Sequence, residues 1–174
     1  HDEPYAYLRI VRNLFEGVRC ILFNSAPEGE LARRLYELDG SRESVVGMGF
    51  DLARRTGSAD RFRAKHGLRG PYVLYFGRKE DGKNTNWLAR QFASRDCRRR
   101  QDLKLVFAGS GELDIPSEAC DSIVDIAFLT EEEKRDAIAG AVAVVQPSVN
   151  ESFSIVLMEA WLHEKPVLVH ARCA

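Results

Sequence analysis

Apolar positions alternate along the chain between helical spacing and short, nearly continuous runs of the kind found in buried strands. Tyr5 to Phe15 has the helical rhythm, and Val18 to Phe23 reads as a buried strand. Ser25-Ala26-Pro27-Glu28 then predicts a helix start: serine as cap, proline in the first turn and glutamate closing a capping box. Leu31, Leu35 and Leu38 are the expected apolar stripe of that helix. Val45 to Val46 reads as a short strand, followed by the glycine-bearing Gly47-Met48-Gly49-Phe50-Asp51 turn. The charged stretch 51–70 is expected to be a linker with a short helix around Ala59 to His66.

A second rhythm starts at Pro71. Strands are expected at Tyr72–Phe76, Leu103–Ala108, Ile123–Ile126, Val142–Val145 and Pro166–Val169. Helices are expected at Asn86–Ser94, from the Thr130-Glu131-Glu132-Glu133 capping box to about Gly140, and at Phe153–Leu162. Strands alternating with helices predict an α/β fold, a Rossmann-like parallel sheet with helices on both faces. Ligands of such sheets bind beyond the carboxyl ends of the strands, so the loops after Phe76, Ala108, Ile126 and Val145 are the places to search.

Composition narrows the classes. The 174 residues carry 25 Lys+Arg against 26 Asp+Glu, and the near-neutral balance argues against a general nucleic-acid binder. Two local basic clusters exist, Arg54, Arg55, Arg61, Arg63 and Lys65, and then Arg95 with Arg98 to Arg100; the second reads as a solvated loop. The longest apolar run, Ala137 to Val145, is too short to cross a bilayer. The four cysteines, Cys20, Cys97, Cys120 and Cys173, form no CxxC pair and read as reduced thiols of a cytoplasmic protein, with Cys20 expected to be buried in a strand. The chain opens without Met and stops after a strand-like run, so it is expected to be a fragment.

Two loops carry candidate chemistry. Gly77-Arg78-Lys79-Glu80-Asp81-Gly82-Lys83-Asn84 lies between a strand and a helix and nearly spells a P-loop, but Asn84 replaces the hydroxyl that would hold magnesium. A second reading takes Arg78 and Lys83 as a fork and a mobile point charge for a diphosphate. The other loop runs from Pro147-Ser148 into Glu151-Ser152-Phe153-Ser154-Ile155-Val156-Leu157-Met158-Glu159-Ala160. Backbone N–H groups near Phe153 to Val156 offer an anion site at a helix start. Glu151 and Glu159 read either as ligands of a bound molecule or as a helix-dipole charge and a solvent-exposed carboxylate.

These pieces in this order resemble the retaining, nucleotide-sugar-dependent glycosyltransferases of family 4, the GT-B type also called glycosyltransferase group 1. The likeness rests on Tyr72 to Arg78 with Lys83, on Leu105-Val106-Phe107-Ala108-Gly109-Ser110-Gly111-Glu112, on Pro147-Ser148 before Glu151-x7-Glu159, and on Lys165-Pro166-Val167. It implies that 1–50 is the end of an acceptor-side domain, 51–70 a linker, and 71–174 an incomplete donor-binding domain. It further implies that Arg78 and Lys83 bind the donor diphosphate and stabilise the leaving nucleotide, and that Glu151 acts near the sugar. Glu159 would accept hydrogen bonds from the ribose, Phe153, Ser154, Ile155 and Val156 would contact sugar and phosphate, Phe128 and Leu129 would face the base, and Gly49 would sit near the cleft.

The family needs no metal and no other cofactor. Its partners would be a nucleotide-sugar donor and a saccharide or lipid-linked acceptor, with no nucleic acid, in a cytoplasmic enzyme open to a peripheral place at the inner membrane face. The fragment itself is expected to be inactive. Two departures stand out: Glu151-Ser152-Phe153-Ser154 where the family writes Glu-Gly-Phe-Gly, and Phe128-Leu129-Thr130 where it tends to carry a glycine. The competing expectations are a P-loop nucleotide-binding domain using Gly77 to Asn84, and a non-catalytic nucleotide-binding α/β module.

Overall fold

Alternate residues of the strand Tyr72–Phe76 bury on opposite sides, Tyr72 and Leu74 on one and Tyr75 on the other, and this two-sided burial demands cover on both faces. A computed structural model describes residues 9–49, 51–94, 102–119, 121–149, 151 and 154–171. Its contacts divide the chain into two compact units, 1–50 with Ala174 and 51–173.

In the first unit, α1 (Arg9–Gly17), β1 (Ile21–Phe23), α2 (Ala26–Tyr36) and β2 (Glu43–Val45) follow one another, with β1 and β2 paired in parallel. Ser25 caps α2 by accepting from the Glu28 N–H, but the Glu28 carboxylate returns to the Asn24 N–H (2.7 Å), one residue earlier than a capping box requires. The buried face of α2 is Gly29 and Ala32, with Tyr36 beside the same cluster; of the expected leucine stripe, Leu31 and Leu35 are exposed, while Leu38, past the end of the helix, packs against the cluster. The cause is Phe23, whose ring lies so close to Gly29 that a Cβ there would be 3.1 Å from it. Cys20 is an exposed free thiol just before β1, because Ile21 and Phe23 take the inward positions. Cys97, Cys120 and Cys173 lie outside the described residues.

The second unit holds α3 (Ala59–His66), β3 (Tyr72–Phe76), α4 (Thr85–Ala93), β4 (Lys104–Ala108), β5 (Ile123–Ile126), α5 (Glu131–Gly140), β6 (Ala143–Gln146), α6 (Ile155–Leu162) and β7 (Val167–Val169). The five strands form one parallel sheet in the order β5-β4-β3-β6-β7. One face buries Tyr72, Leu74, Val106 and Val144 together with residues of α3, α5 and α6. The other buries Tyr75, Leu105, Phe107 and Val145 against α4 and the segment around Ala119. The fold is therefore α/β, a parallel sheet flanked by helices on both faces. Among the described residues no helix is long and apolar enough to cross a membrane.

The short helix expected at Ala59–His66 within residues 51–70 forms as α3, and it is docked on its neighbours. Ser58 caps α3, whose Phe62 packs into the core beside Tyr72, and three polar groups pin α3 to α5. The buried Asp136 carboxylate accepts from Arg61 Nε (2.5 Å), Arg61 Nη2 (2.8 Å) and the Ser58 N–H (2.6 Å). Lys65 pairs with Glu133, and Arg63 donates to the Gly140 carbonyl. The first basic cluster is thus spent largely on internal partners. The second, Arg95 and Arg98 to Arg100, lies outside the described residues.

The Arg61 guanidinium bonded to Asp136 holds its carboxyl below the ordinary carboxylate range, and Lys65, then Thr130, bring Glu133 to about 2. A carboxyl depressed on folding stabilises above its unfolded pKa and loses that contribution as pH falls toward the folded value. Asp136→Asn should therefore cost about 1.5–3 kcal/mol at neutral pH, the range for hydrogen bonds to a charged group, with Arg61 keeping its second partner Glu132. Urea unfolding at pH 7 and pH 3 checks both statements: the difference between wild type and variant should shrink at the lower pH.

Candidate functional site

The order of strands reverses between β3 and β6: the chain leaves β3 toward β4 on one side and leaves β6 toward β7 on the other. Loops that diverge from neighbouring strands open a crevice beyond their carboxyl ends. The loops there are 77–84 after β3 and 147–154 after β6, the two that the sequence singles out.

Loop 77–84 is held by its backbone. Beyond the sheet edge the Gly77 N–H donates to the Ala108 carbonyl (2.9 Å) and the Lys79 N–H to the Ser110 carbonyl (2.7 Å). This continued pairing needs Gly109 and Gly111, both at positive φ, where a Cβ would stand 2.0 Å from the Gly77 oxygen and 2.2 Å from the Lys79 oxygen. The Tyr75 hydroxyl donates to the Arg78 carbonyl (2.6 Å), and burial, then the charges of Glu151 and Glu80, push its pKa up, so it stays a donor. Lys79 is buried and reaches Asp125 on β5 (2.5 Å).

Further along, residues 81–83 form a 3-10 turn in which the Lys83 and Asn84 N–H groups donate to Glu80 and Asp81 carbonyls. A P-loop needs its backbone amides turned to phosphate. Here the amides of 77, 79, 83 and 84 are committed to carbonyls, and a left-handed Asn84 (φ 55°) separates the turn from α4.

The two loops are tied to each other. Asn84 Nδ2 donates to the Pro147 carbonyl (2.9 Å), Gln146 Nε2 donates to the Phe76 carbonyl (2.7 Å), and Lys83 Nζ pairs with Glu151 Oε1 at 2.5 Å. Lys83 and Glu151, separated by 68 positions, thus meet in a largely enclosed place. Arg78 is not in that contact; its guanidinium is exposed and pairs with Glu80 at 3.3 Å.

α6 begins at Ile155, later than the Phe153 the periodicity predicts, with Ser154 as its N-cap residue. The Ser154 side chain makes no capping bond and no acidic residue occupies the first turn, which leaves the dipole end open to an anion. The Val156 side chain packs toward the core and Ile155 is exposed. Phe153 lies outside the described residues. Glu159, one turn in, is buried: Oε1 pairs with Lys134 Nζ at 2.6 Å, while Oε2 has no partner. The solvent-exposed reading of Glu159 does not hold, because its carboxylate is enclosed together with the Lys134 ammonium of α5.

After β5, Phe128 is exposed and Leu129 places its side chain in the core, so main chain is what Leu129 has to offer a ligand. Gly49 belongs to the first unit and is exposed there. Among the described residues no group of three or more His, Cys, Asp or Glu side chains is placed to hold a metal ion.

Two contributors, Lys79 and Lys134, have no place in the sequence expectations, and Asn84, expected only as the residue that interrupts the P-loop pattern, ties the two loops instead. Lys134 left a signal, since it falls on the same helical stripe as Ala137, Ile138 and Ala141, where a lysine needs a buried partner. Burial lowers its pKa, yet the bonds to Glu159 and Glu131 outweigh that and raise it, so it stays charged.

Comparison with known proteins identifies the family. Residues 70–174 match the family described as glycosyl transferases group 1. A D-inositol 3-phosphate glycosyltransferase of Salinispora arenicola is 32% identical over 98% of this chain, which spans 44% of that relative's length. Among solved structures, Anabaena HepE in complex with UDP and glucose superposes with a TM-score of 0.79 at 18% identity, over 98% of this chain and 51% of HepE. WaaG, a glycosyltransferase involved in lipopolysaccharide biosynthesis, gives 0.75 at 18% identity with the same two coverages. The sheet, its reversal point and the matched residues agree: this chain belongs to the group 1 glycosyltransferases.

Proposed function

We propose that residues 71–174 are the donor-binding part, and 1–50 the end of the acceptor-side domain, of a retaining glycosyltransferase, which transfers a hexose from a nucleoside-diphosphate sugar to a saccharide or lipid-linked acceptor without a metal ion. The observation that carries the reading is the meeting of Lys83 and Glu151 beside the open end of α6, at the reversal point of the sheet. A diphosphate requires fixed positive charge and N–H donors, and both converge there. HepE, solved with UDP and glucose, supports uridine as the base to try first.

The roles follow from the chemistry. As the bond between sugar and diphosphate breaks, negative charge grows on the leaving phosphate, and preorganised donors stabilise it. Lys83 supplies the fixed cation and the first-turn amides of α6 the dipole. Arg78, now paired with Glu80, swings from an exposed position to add a second charge. Glu151 stands where it occupies Lys83 until an anionic donor displaces it, and then it is close enough to meet the sugar. The open Oε2 of Glu159 receives the ribose hydroxyls. The main chain at Phe128 and Leu129 faces the base, and the main chain of Ser154, Ile155 and Val156 contacts the sugar and phosphate. The enzyme works in the cytoplasm. The P-loop alternative has less support, since the amides of Gly77, Lys79, Lys83 and Asn84 are already engaged with carbonyls.

Titration calorimetry with UDP on the complete protein tests the cation. Lys83→Ala should cost about 1.5–3 kcal/mol of affinity, the range for a charged hydrogen bond. Glu151→Gln should act oppositely on the bare nucleotide: with the competing carboxylate gone UDP binds a few-fold tighter, while sugar transfer falls. Unchanged or weaker UDP binding in that variant would remove Glu151 as the resident occupant of Lys83.

The isolated chain offers a quicker experiment, thermal unfolding with UDP, GDP and ADP, each with and without magnesium. With ligand at about five times its dissociation constant the stabilisation is about 1 kcal/mol. For a chain of this size that is a shift of about 2–4 °C. The expected shift is independent of magnesium and lost in Lys83→Ala; a shift seen only with magnesium would favour the P-loop reading.

A further inference from the structure

Lys134 is a buried lysine on the core-facing stripe of α5, and Glu159 a buried glutamate in α6, the most apolar helix of the second unit. Stability does not explain them. A buried ion pair tends to be no better for folding than two well-packed apolar side chains, because both charges must first leave water. The geometry shows what the pair provides instead. The Lys134 ammonium is fully engaged: it contacts Glu159 Oε1 at 2.6 Å and Glu131 Oε2 at 2.9 Å, and lies 5.5 Å from the centre of the Phe76 ring. The Glu159 carboxylate is half engaged, with Oε1 taken and Oε2 buried without a partner.

We propose that Lys134 is a positioning residue that fixes the Glu159 carboxylate and offsets its charge, so that Oε2 becomes a hydroxyl acceptor inside a site that must also take a diphosphate. The proposal deepens the donor-site reading above and rests on it. An unpaired carboxylate one helical turn beyond the open end of α6 would repel the phosphates that this end attracts. Lys134, which the exposed Glu131 shares, offsets the Glu159 charge at close range and leaves one strong acceptor, which suits the group to read ribose hydroxyls rather than to oppose the diphosphate. The position of the lysine matters as well. It sits in the first turn of α5, directly after the 127–130 segment that leaves β5, so the same ion pair ties that segment to α6. Base and ribose would thereby be held by elements joined through one bond.

The test uses the complete protein with UDP and 2′,3′-dideoxy-UDP as probes. A site built to accept hydroxyl groups should prefer UDP by about tenfold or more, because the analogue leaves a buried acceptor unpaired. Lys134→Met should abolish most of that preference, raise the donor KM and leave kcat at saturating donor nearly unchanged; Lys134→Arg should restore the preference. A lysine that only supports the fold would weaken both probes equally, and that result overturns the proposal. Lys134→Met also leaves a buried charge behind, so Lys134→Met/Glu159→Gln serves as a variant without one. It should bind UDP no more weakly than Glu159→Gln alone, since the lysine acts through the carboxylate. An equal loss from Lys134→Met in both backgrounds overturns the proposal too. If Glu159→Gln by itself keeps the full preference for UDP, the ribose assignment fails, and the role of Lys134 falls with it.

Discussion

The reversal of strand order between β3 and β6 is the constraint from which the rest of the second unit follows. β3 is hydrogen-bonded on both sides and covered on both faces, so it fixes which loops can meet. Because β4 and β6 lie on its opposite flanks, the connections that leave β3 and β6 diverge, and backbone pairing cannot fill the space between them. Polar side chains close it instead, through Asn84 to Pro147, Gln146 to Phe76 and Lys83 to Glu151. A crevice whose walls are joined by side chains rather than by a ladder can exchange those contacts for a ligand without unfolding the sheet.

Three lysine–carboxylate pairs stand near the carboxyl edge of the sheet: Lys79 with Asp125, Lys83 with Glu151, and Lys134 with Glu159. They differ in how much of each partner remains usable. Lys79 is buried and joins the β3 loop to β5, which makes it a fastening. Lys83 and Glu151 each keep some exposure, and their bond is the one a charged ligand can reach. Glu159 is buried with one oxygen open, which makes it an acceptor rather than a charge. The same chemical pair thus serves as clamp, exchangeable contact and enclosed acceptor according to its depth, since burial sets the cost of separating the charges.

Much of this was legible in the sequence because parallel strands covered on both faces write continuous apolar runs, and β3, β4, β5 and β6 stand close to where those runs predict them. The Thr130 capping box forms with both of its bonds. The failures share a physical cause. The inward place of Leu31 and Leu35 and the burial of Cys20 are inferences from local pattern, and each depends on a partner distant in sequence or on which strand face turns inward. Phe23 chose Gly29 over the leucines, and Asp136 turned a charged segment into a docked helix through Arg61 and Ser58.

The site divides along the same line. Lys83 and Glu151 could be named from loops at strand ends, because topology alone brings such loops together. Lys134 could not be paired from the sequence, because its partner lies 25 positions away on another helix and its neighbours Glu131, Glu132 and Glu133 offer nearer carboxylates. One of these, Glu131, does bind it, but from an exposed position where water screens the attraction. Glu159, enclosed with it, feels a lower dielectric and holds it more strongly. Depth therefore decides between a near partner and a far one, and depth is the quantity that a helical pattern records only when, as at position 134, a charge interrupts an apolar stripe.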